Sequence, residues 1–299
     1  CFYALVEADG QNFSQKSNPM KYTSQPLTFL FISMFAFSAM LTSCSGNDDS
    51  TPDLEVSVSD SALSARADGI VEATQHIVES GYNYIEEPDR QPNSIFGTSC
   101  PTFDVVVDGT AVTLVVDFGP SCQLLSGPEV SGQIVLEYGP RVGGLRTIDY
   151  VYQNFVFNGH QISGGGLIIR ESENINGNPQ SSLSENITVA FSGSDVTATR
   201  VGTRYSEWVA GVGSGTWIDN VYNIWGDWET SLSTGFQRVG VVDVSTPLVR
   251  GIALCDWFVS GIMAVTQNNL SGTLDYGDGT CDSVAILTIN GIEFTINLD

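Results

Sequence analysis

The pattern of apolar and polar positions changes character once along the chain. Between Ser61 and Glu79, the apolar residues Leu63, Ile70, Ala73, Ile77 and Val78 recur largely at helical spacing, and Gly81 stands where a helix would stop. From Thr102 onward, short alternating or apolar runs are separated by Gly, Asn, Asp and Ser, which predicts an antiparallel sheet of about a dozen strands. The expected fold class is all-β with one N-terminal helix. Sandwich, barrel and rolled meander are all compatible with this pattern.

Two hairpins can be written in register. Asp108-Gly109 is a two-residue turn signal that puts Phe103, Val105 and Val107 on the same face as Thr110, Val112 and Leu114. Asn290-Gly291 does the same for Ala285, Leu287 and Ile289 against Ile292, Phe294 and Ile296. A slip of one residue would turn either apolar set to the wrong face, so turn and burial together specify the register. Ile187, Val189 and Phe191 alternate along a further strand. Ile148 to Phe157 is apolar on both faces and is expected to be a central strand covered on both sides.

Ahead of the helix, Leu27 to Met40 is a nearly unbroken apolar run that opens after Met20-Lys21. As a helix it would span about 21 Å, short of the roughly 30 Å hydrocarbon core, so it reads as an export signal and not a membrane span. The run ends in Leu41-Thr42-Ser43-Cys44, which resembles the lipobox of bacterial lipoproteins. The resemblance implies that the Cys44 thiol accepts a diacylglycerol, that cleavage precedes it, and that acyl chains hold the protein at about 0.8 kcal/mol per buried methylene. The acidic run after Cys44 resembles the surface-export signal of Bacteroidota lipoproteins, and Asp60-Ser61-Ala62 resembles that phylum's O-glycosylation acceptor. The expected division is residues 1–19 outside the native product, 20–43 signal peptide, 44–60 flexible acidic tether, 61–98 helix and linker, and 99–299 a single antiparallel β domain.

Export changes the reading of the cysteines. Besides Cys1 and Cys44 there are four, Cys100, Cys122, Cys255 and Cys281, and an oxidising compartment predicts two disulfides. A repeated pattern selects the pairing: Cys100 is followed by Val116-Asp117-Phe118-Gly119 and Cys122, and Cys255 by Leu274-Asp275-Tyr276-Gly277 and Cys281. Each copy is expected to close its own loop, contributing about 3 kcal/mol. A turn at Gln267 to Leu270 would bring Cys255 opposite Cys281.

The chain of 299 residues carries 34 acids against 11 bases, a net charge of -23, and after Lys21 it has nine arginines and no lysine. Nucleic acid and anionic membrane faces are therefore unsuitable partners. His76 and His160 have no second histidine or free cysteine near them in sequence, no nucleophile elbow or P-loop is present, and Gly211, Gly213 and Gly215 read as a loop. Asp275, Asp278 and Asp282 suit turn caps better than calcium, because the first copy keeps only Asp117. No catalytic residue, metal or cofactor is assigned.

Trp208, Trp217, Trp225 and Trp228 lie close together in sequence with Glu207, Asp219, Asp227 and Glu229 among them. Packing in a core is the stronger reading of these rings. The other is a sugar-binding platform, whose carboxylates would form a glycosidase pair if set about 5 to 9 Å apart. The cysteine-bounded repeat, the segment Arg204 to Gly211 and the terminal Asn-Gly hairpin resemble uncharacterised surface lipoproteins of Bacteroidota over about two thirds of the chain, which implies no activity. The expectation is an outer-membrane, lipid-anchored protein on the periplasmic or cell-surface side, with a non-catalytic binding or structural role. Its partners would be the membrane through the anchor, and a glycan or a surface protein. A glycan-active hydrolase and an assembly lipoprotein without small ligand are the alternatives.

Overall fold

The computed structural model describes residues 56–89, 94–251 and 255–299. The signal segment, Cys44 and the tether up to residue 55 lie outside the described residues. One helix, α1 (Val58–Glu86), is followed by fourteen strands. The first seven are β1 (Thr102–Asp108), β2 (Ala111–Gln123), β3 (Glu129–Tyr138), β4 (Leu145–Phe157), β5 (His160–Glu171), β6 (Gln180–Ala190) and β7 (Thr197–Ala210). The others are β8 (Val221–Leu232), β9 (Gln237–Val242), β10 (Leu248–Gly251), β11 (Ser260–Gln267), β12 (Leu270–Asp278), β13 (Val284–Ile289) and β14 (Ile292–Asn297).

The strands make one antiparallel sheet in chain order, with β1 and β14 at its ends. Only β9 and β10 depart from the simple path. Both pair with β8 and both pair with β11, so they occupy one strand position interrupted by the excursion at 243–247. The fold is the rolled meander among the expected alternatives, because the sheet curls around α1. The helix meets β2 where Gly81 approaches Val116, and it packs against β4, β6, β7, β8 and β14. Apolar residues such as Leu114, Ile134, Ile148, Ile187, Leu274 and Leu287 point inward. This sense of alternation is opposite to that of a lipid-facing barrel. Among the described residues no helix is long and apolar enough to cross a membrane.

The helix starts earlier and ends later than the sequence pattern indicates. Ser57 is its N-cap, with Oγ accepting the Asp60 N–H at 3.3 Å, so Val58 to Asp60 belong to the first turn and not to the tether. Gly81 lies inside the helix instead of ending it. Its missing side chain lets the backbone approach β2, since a Cβ there would meet Val116 Cγ2 at 3.0 Å. Burial of the flanking Val78 and Tyr82 in the core offsets a helix-propensity deficit of about 1 kcal/mol. Ser61, the hydroxyl of the glycosylation-like triplet, is buried, donates to the Ser57 carbonyl at 2.7 Å and accepts from Gln267 Nε2 at 2.9 Å. It is inaccessible in the folded chain.

The Asn290-Gly291 hairpin has the predicted register, Ile289 opposite Ile292 and Leu287 opposite Phe294, and both turn residues have positive φ. The first hairpin turns one residue later than predicted, at Gly109-Thr110, which pairs Val107 with Val112 and Val105 with Leu114. The shared faces survive this shift, but burial does not: Val107 is 65% exposed. As an edge strand β1 overhangs the core, and only Phe103 packs well, against the rings of Tyr84 and Phe96. β4 is central as expected but covered on one side only. Ile148, Tyr150 and Tyr152 point inward while Val151 is 41% exposed, because a single rolled layer has one interior.

Candidate functional site

A polar stripe runs through the apolar interior. Asp68, Glu72, Gln75, Glu79 and Glu86 recur at helical spacing and so share one face of α1. That face crosses the sheet diagonally, meeting β8 and β9 first and β3 and β4 last. Asp68 accepts from Trp228 Nε1 at 3.1 Å and Thr230 Oγ1 at 2.8 Å and pairs with Arg238. Glu72 accepts from Arg200 Nη2 at 2.8 Å and Arg204 Nε at 2.6 Å. Gln75 donates to Glu185 at 3.0 Å, and Arg170 bridges Glu79 and Glu87 at 3.5 and 3.0 Å. Tyr138 and Arg146 close the far end on Glu86.

Six carboxylates (Asp68, Glu72, Glu79, Glu86, Glu87 and Glu185) thus face six arginines, and the ion pairs balance. Burial would raise the Glu72 carboxyl, but the Arg204 and Arg200 guanidiniums hold it below the usual carboxylate range. Glu185, 2.8 Å from Arg200, is held above that range by burial. No local pattern along the chain announces this network. Its legible trace is the chain's retention of arginine with no lysine after residue 21, since the planar fork of arginine suits buried multidentate pairing.

Beside the stripe, a cavity of about 250 Å³ opens to the surface where α1 passes the β4–β5 turn. Arg66, Gly69 and Ala73 come from the helix, Phe157 and His160 from the strands, Asp256 and Trp257 from the segment between β10 and β11, and Asp299 follows β14. Gly69 seats the indole, because a Cβ there would stand 3.1 Å from the Trp257 ring. His160 Nδ1 accepts the Ser192 N–H at 2.9 Å, which assigns the proton of the neutral ring to Nε2. Nε2 lies 3.4 Å from Arg66 Nη2. Burial, and then Arg66, lower the His160 pKa and favour that neutral form.

Two narrower cavities of about 10 Å³ each lie along the same helix, each with room for a single water. One shares Ala73, Phe157 and Asp256 with the outer cavity, and both are lined by His76 and Arg250. His76 is pushed down to about 3 by burial, with Arg250 and Arg204 acting in the same direction. Arg250 is 6% exposed, and among the described residues its Nε and Nη1 have no hydrogen-bond partner.

The tryptophan cluster does not form a platform. Trp208, Trp217 and Trp228 point into the core, and only Trp225 is half-exposed, stacked on Tyr205 with ring centroids 5.6 Å apart. Strand alternation separates Trp208 and Trp228 from Trp225, since even positions of β7 and β8 face inward, while Trp217 is buried from the loop between them. The acids among them are held locally. Glu207 Oε1 accepts from the amides of Asn174, Asn176 and Asn178, Asp219 from Ser214, and Glu229 from Ser231.

The disulfides are Cys100–Cys122 and Cys255–Cys281, as the repeat predicts. The echo extends to atoms: Asp117 Oδ1 accepts the Gly119 N–H at 2.8 Å and Asp275 Oδ1 the Gly277 N–H at 2.9 Å, both glycines having positive φ. Asp278 and Asp282 cap backbone N–H groups in the same way, and Gly211, Gly213 and Gly215 lie in the loop between β7 and β8. Comparisons with protein-family models, with curated proteins and with solved structures find no match to this chain.

Proposed function

We propose that this chain is a lipid-anchored envelope protein of the outer membrane whose rolled sheet is a non-catalytic binding domain, with the cavity beside Trp257 as its ligand site. The compartment is supported by the Leu41-Thr42-Ser43-Cys44 pattern together with two disulfides, which persist in oxidising surroundings. The binding role is carried by one observation, a surface cavity that sets a partly exposed indole beside a cation, an imidazole N–H and two carboxylates. At about 250 Å³ it lies just under the usual range for drug-sized ligands and suits a single small ring. A sugar fits such a wall, with its apolar face on the indole and its hydroxyls on Asp256 and Asp299.

A glycan array with the full chain and its Trp257→Ala variant tests this. Binding lost in the variant is expected, and an array with no positive sugar would remove the glycan reading. Mass spectrometry of the native protein tests the anchor, where an unmodified Cys44 would remove the compartment.

One observation favours hydrolysis as a second reading. Asp256 and Asp299 line the same cavity, and burial raises the Asp256 carboxyl against the opposing pull of Arg250, which suits a general acid. Release of nitrophenol from aryl glycosides by the wild type, absent in Asp256→Asn, would move the assignment to an enzyme.

A further inference from the structure

We infer that the ligand of this cavity carries a carboxylate, as an acidic sugar does, and that Arg66 and His160 hold it. The inference deepens the binding reading above and rests on it.

His160 spends Nδ1 on the Ser192 N–H, so its Nε2 is a donor, and it faces the Arg66 guanidinium, also a donor, at 3.4 Å. Two donors that close gain nothing from each other. An acceptor placed against both satisfies them together, and a carboxylate has two oxygens at the spacing such a fork requires.

The distribution of arginines points the same way. Of the eight described arginines, six are committed to carboxylates, and only Arg66 and Arg250 have none within 4 Å among the described residues. Arg66 lines the outer cavity, and Arg250 lines the small cavity on the other side of Asp256. Arg250 is buried, and among the described residues its Nε and Nη1 have no hydrogen-bond partner; Asp256 acts on it without an ion pair within 4 Å, so donors of a second cation stay unfilled behind the cavity. On a chain of net charge -23, such a patch attracts an anion only locally. Trp257, Asp256 and Asp299 add an apolar face and hydroxyl acceptors, which select a hydroxylated ring over a bare anion.

The test follows the His160 ring nitrogens by NMR in the full ¹⁵N-labelled chain as acetate, the carboxylate alone, is added. Calorimetry in parallel compares galacturonate with galactose. The expected results are a ring protonated at Nε2, a saturable acetate shift, and galacturonate bound at least about tenfold tighter than galactose, both effects lost in Arg66→Met and recovered in part in Arg66→Lys. Arg66 is partly exposed, so these variants should keep the wild-type circular dichroism.

A ring protonated at Nδ1, no saturable shift up to about 100 mM acetate, or an unchanged response in Arg66→Met overturns the inference. The two readings fail separately. Neutral glycans bound through Trp257 without any acetate response leave binding and remove the carboxylate. An acetate response with no glycan bound keeps the anion fork and removes the sugar.

Discussion

Replacing Glu72 by glutamine removes one charge from the centre of the interior network and leaves the shape nearly unchanged. The carboxylate is 1% exposed and accepts from Arg200 at 2.8 Å and from Arg204 at 2.6 Å. The amide would aim N–H donors at a guanidinium. Arg204 would keep only Glu79, at 3.7 Å, while Arg200 would keep Glu185. Breaking a buried pair by removing one partner costs about 3–5 kcal/mol, because the charge left behind is not rehydrated. For a domain of this size that is a fall in Tm of about 6–20 °C.

Urea titration followed by tryptophan fluorescence reads the loss directly, since Trp228 lies under Arg200 with the guanidinium carbon 4.2 Å from the ring centroid. A double-mutant cycle with Arg204→Met separates the pair from general damage, and the two changes together should cost clearly less than the sum of each alone. A loss below about 1 kcal/mol for Glu72→Gln, or strict additivity in the cycle, would refute a charge-balanced interior, because an exposed pair behaves that way.

Stability should also fall on acidification through His76. Its folded pKa, about 3, lies below the unfolded value near 6.5, so the unfolded chain takes up the proton first and stability is lost as pH drops below about 6.5. Between pH 7 and 5 the effect is at most about 2 kcal/mol, since part of the ring is accessible, and urea midpoints for wild type and His76→Phe should converge over that interval; parallel curves would contradict it. Cys255→Ser with Cys281→Ser should destabilise by about 3 kcal/mol, measured by urea unfolding under oxidising conditions, and a variant as stable as wild type would show that the loop needs no closure. Gly81→Leu should cost about 1–3 kcal/mol through its clash with Val116, and Val116→Ala in the same chain should recover part of it. Equal stability of both would mean that the helix and β2 are not in close contact.

The sequence by itself determined the elements whose causes are local. Asn290-Gly291 favours its turn through backbone conformations that these two residues adopt at little cost, and alternation on either side then fixes which residues face inward. The cysteine pairing was legible for a related reason, because the same cysteine-bounded pattern occurs twice and each copy folds back on its own Asx turn. What only the tertiary structure decided depends on what lies across the interior. The extent of α1 past Gly81, the exposure of β1 and the one-sided burial of β4 all follow from how a single sheet rolls around a helix, which no local pattern contains. The same holds for the site. Arg66, His160 and Trp257 are separated by up to nearly two hundred positions and share a cavity only after rolling, whereas the tryptophans adjacent in sequence are turned apart by the pleat. Likewise the acidic stripe of α1 is buried only because arginines from distant strands meet it, since charge is stable inside a protein only with a partner that the fold supplies.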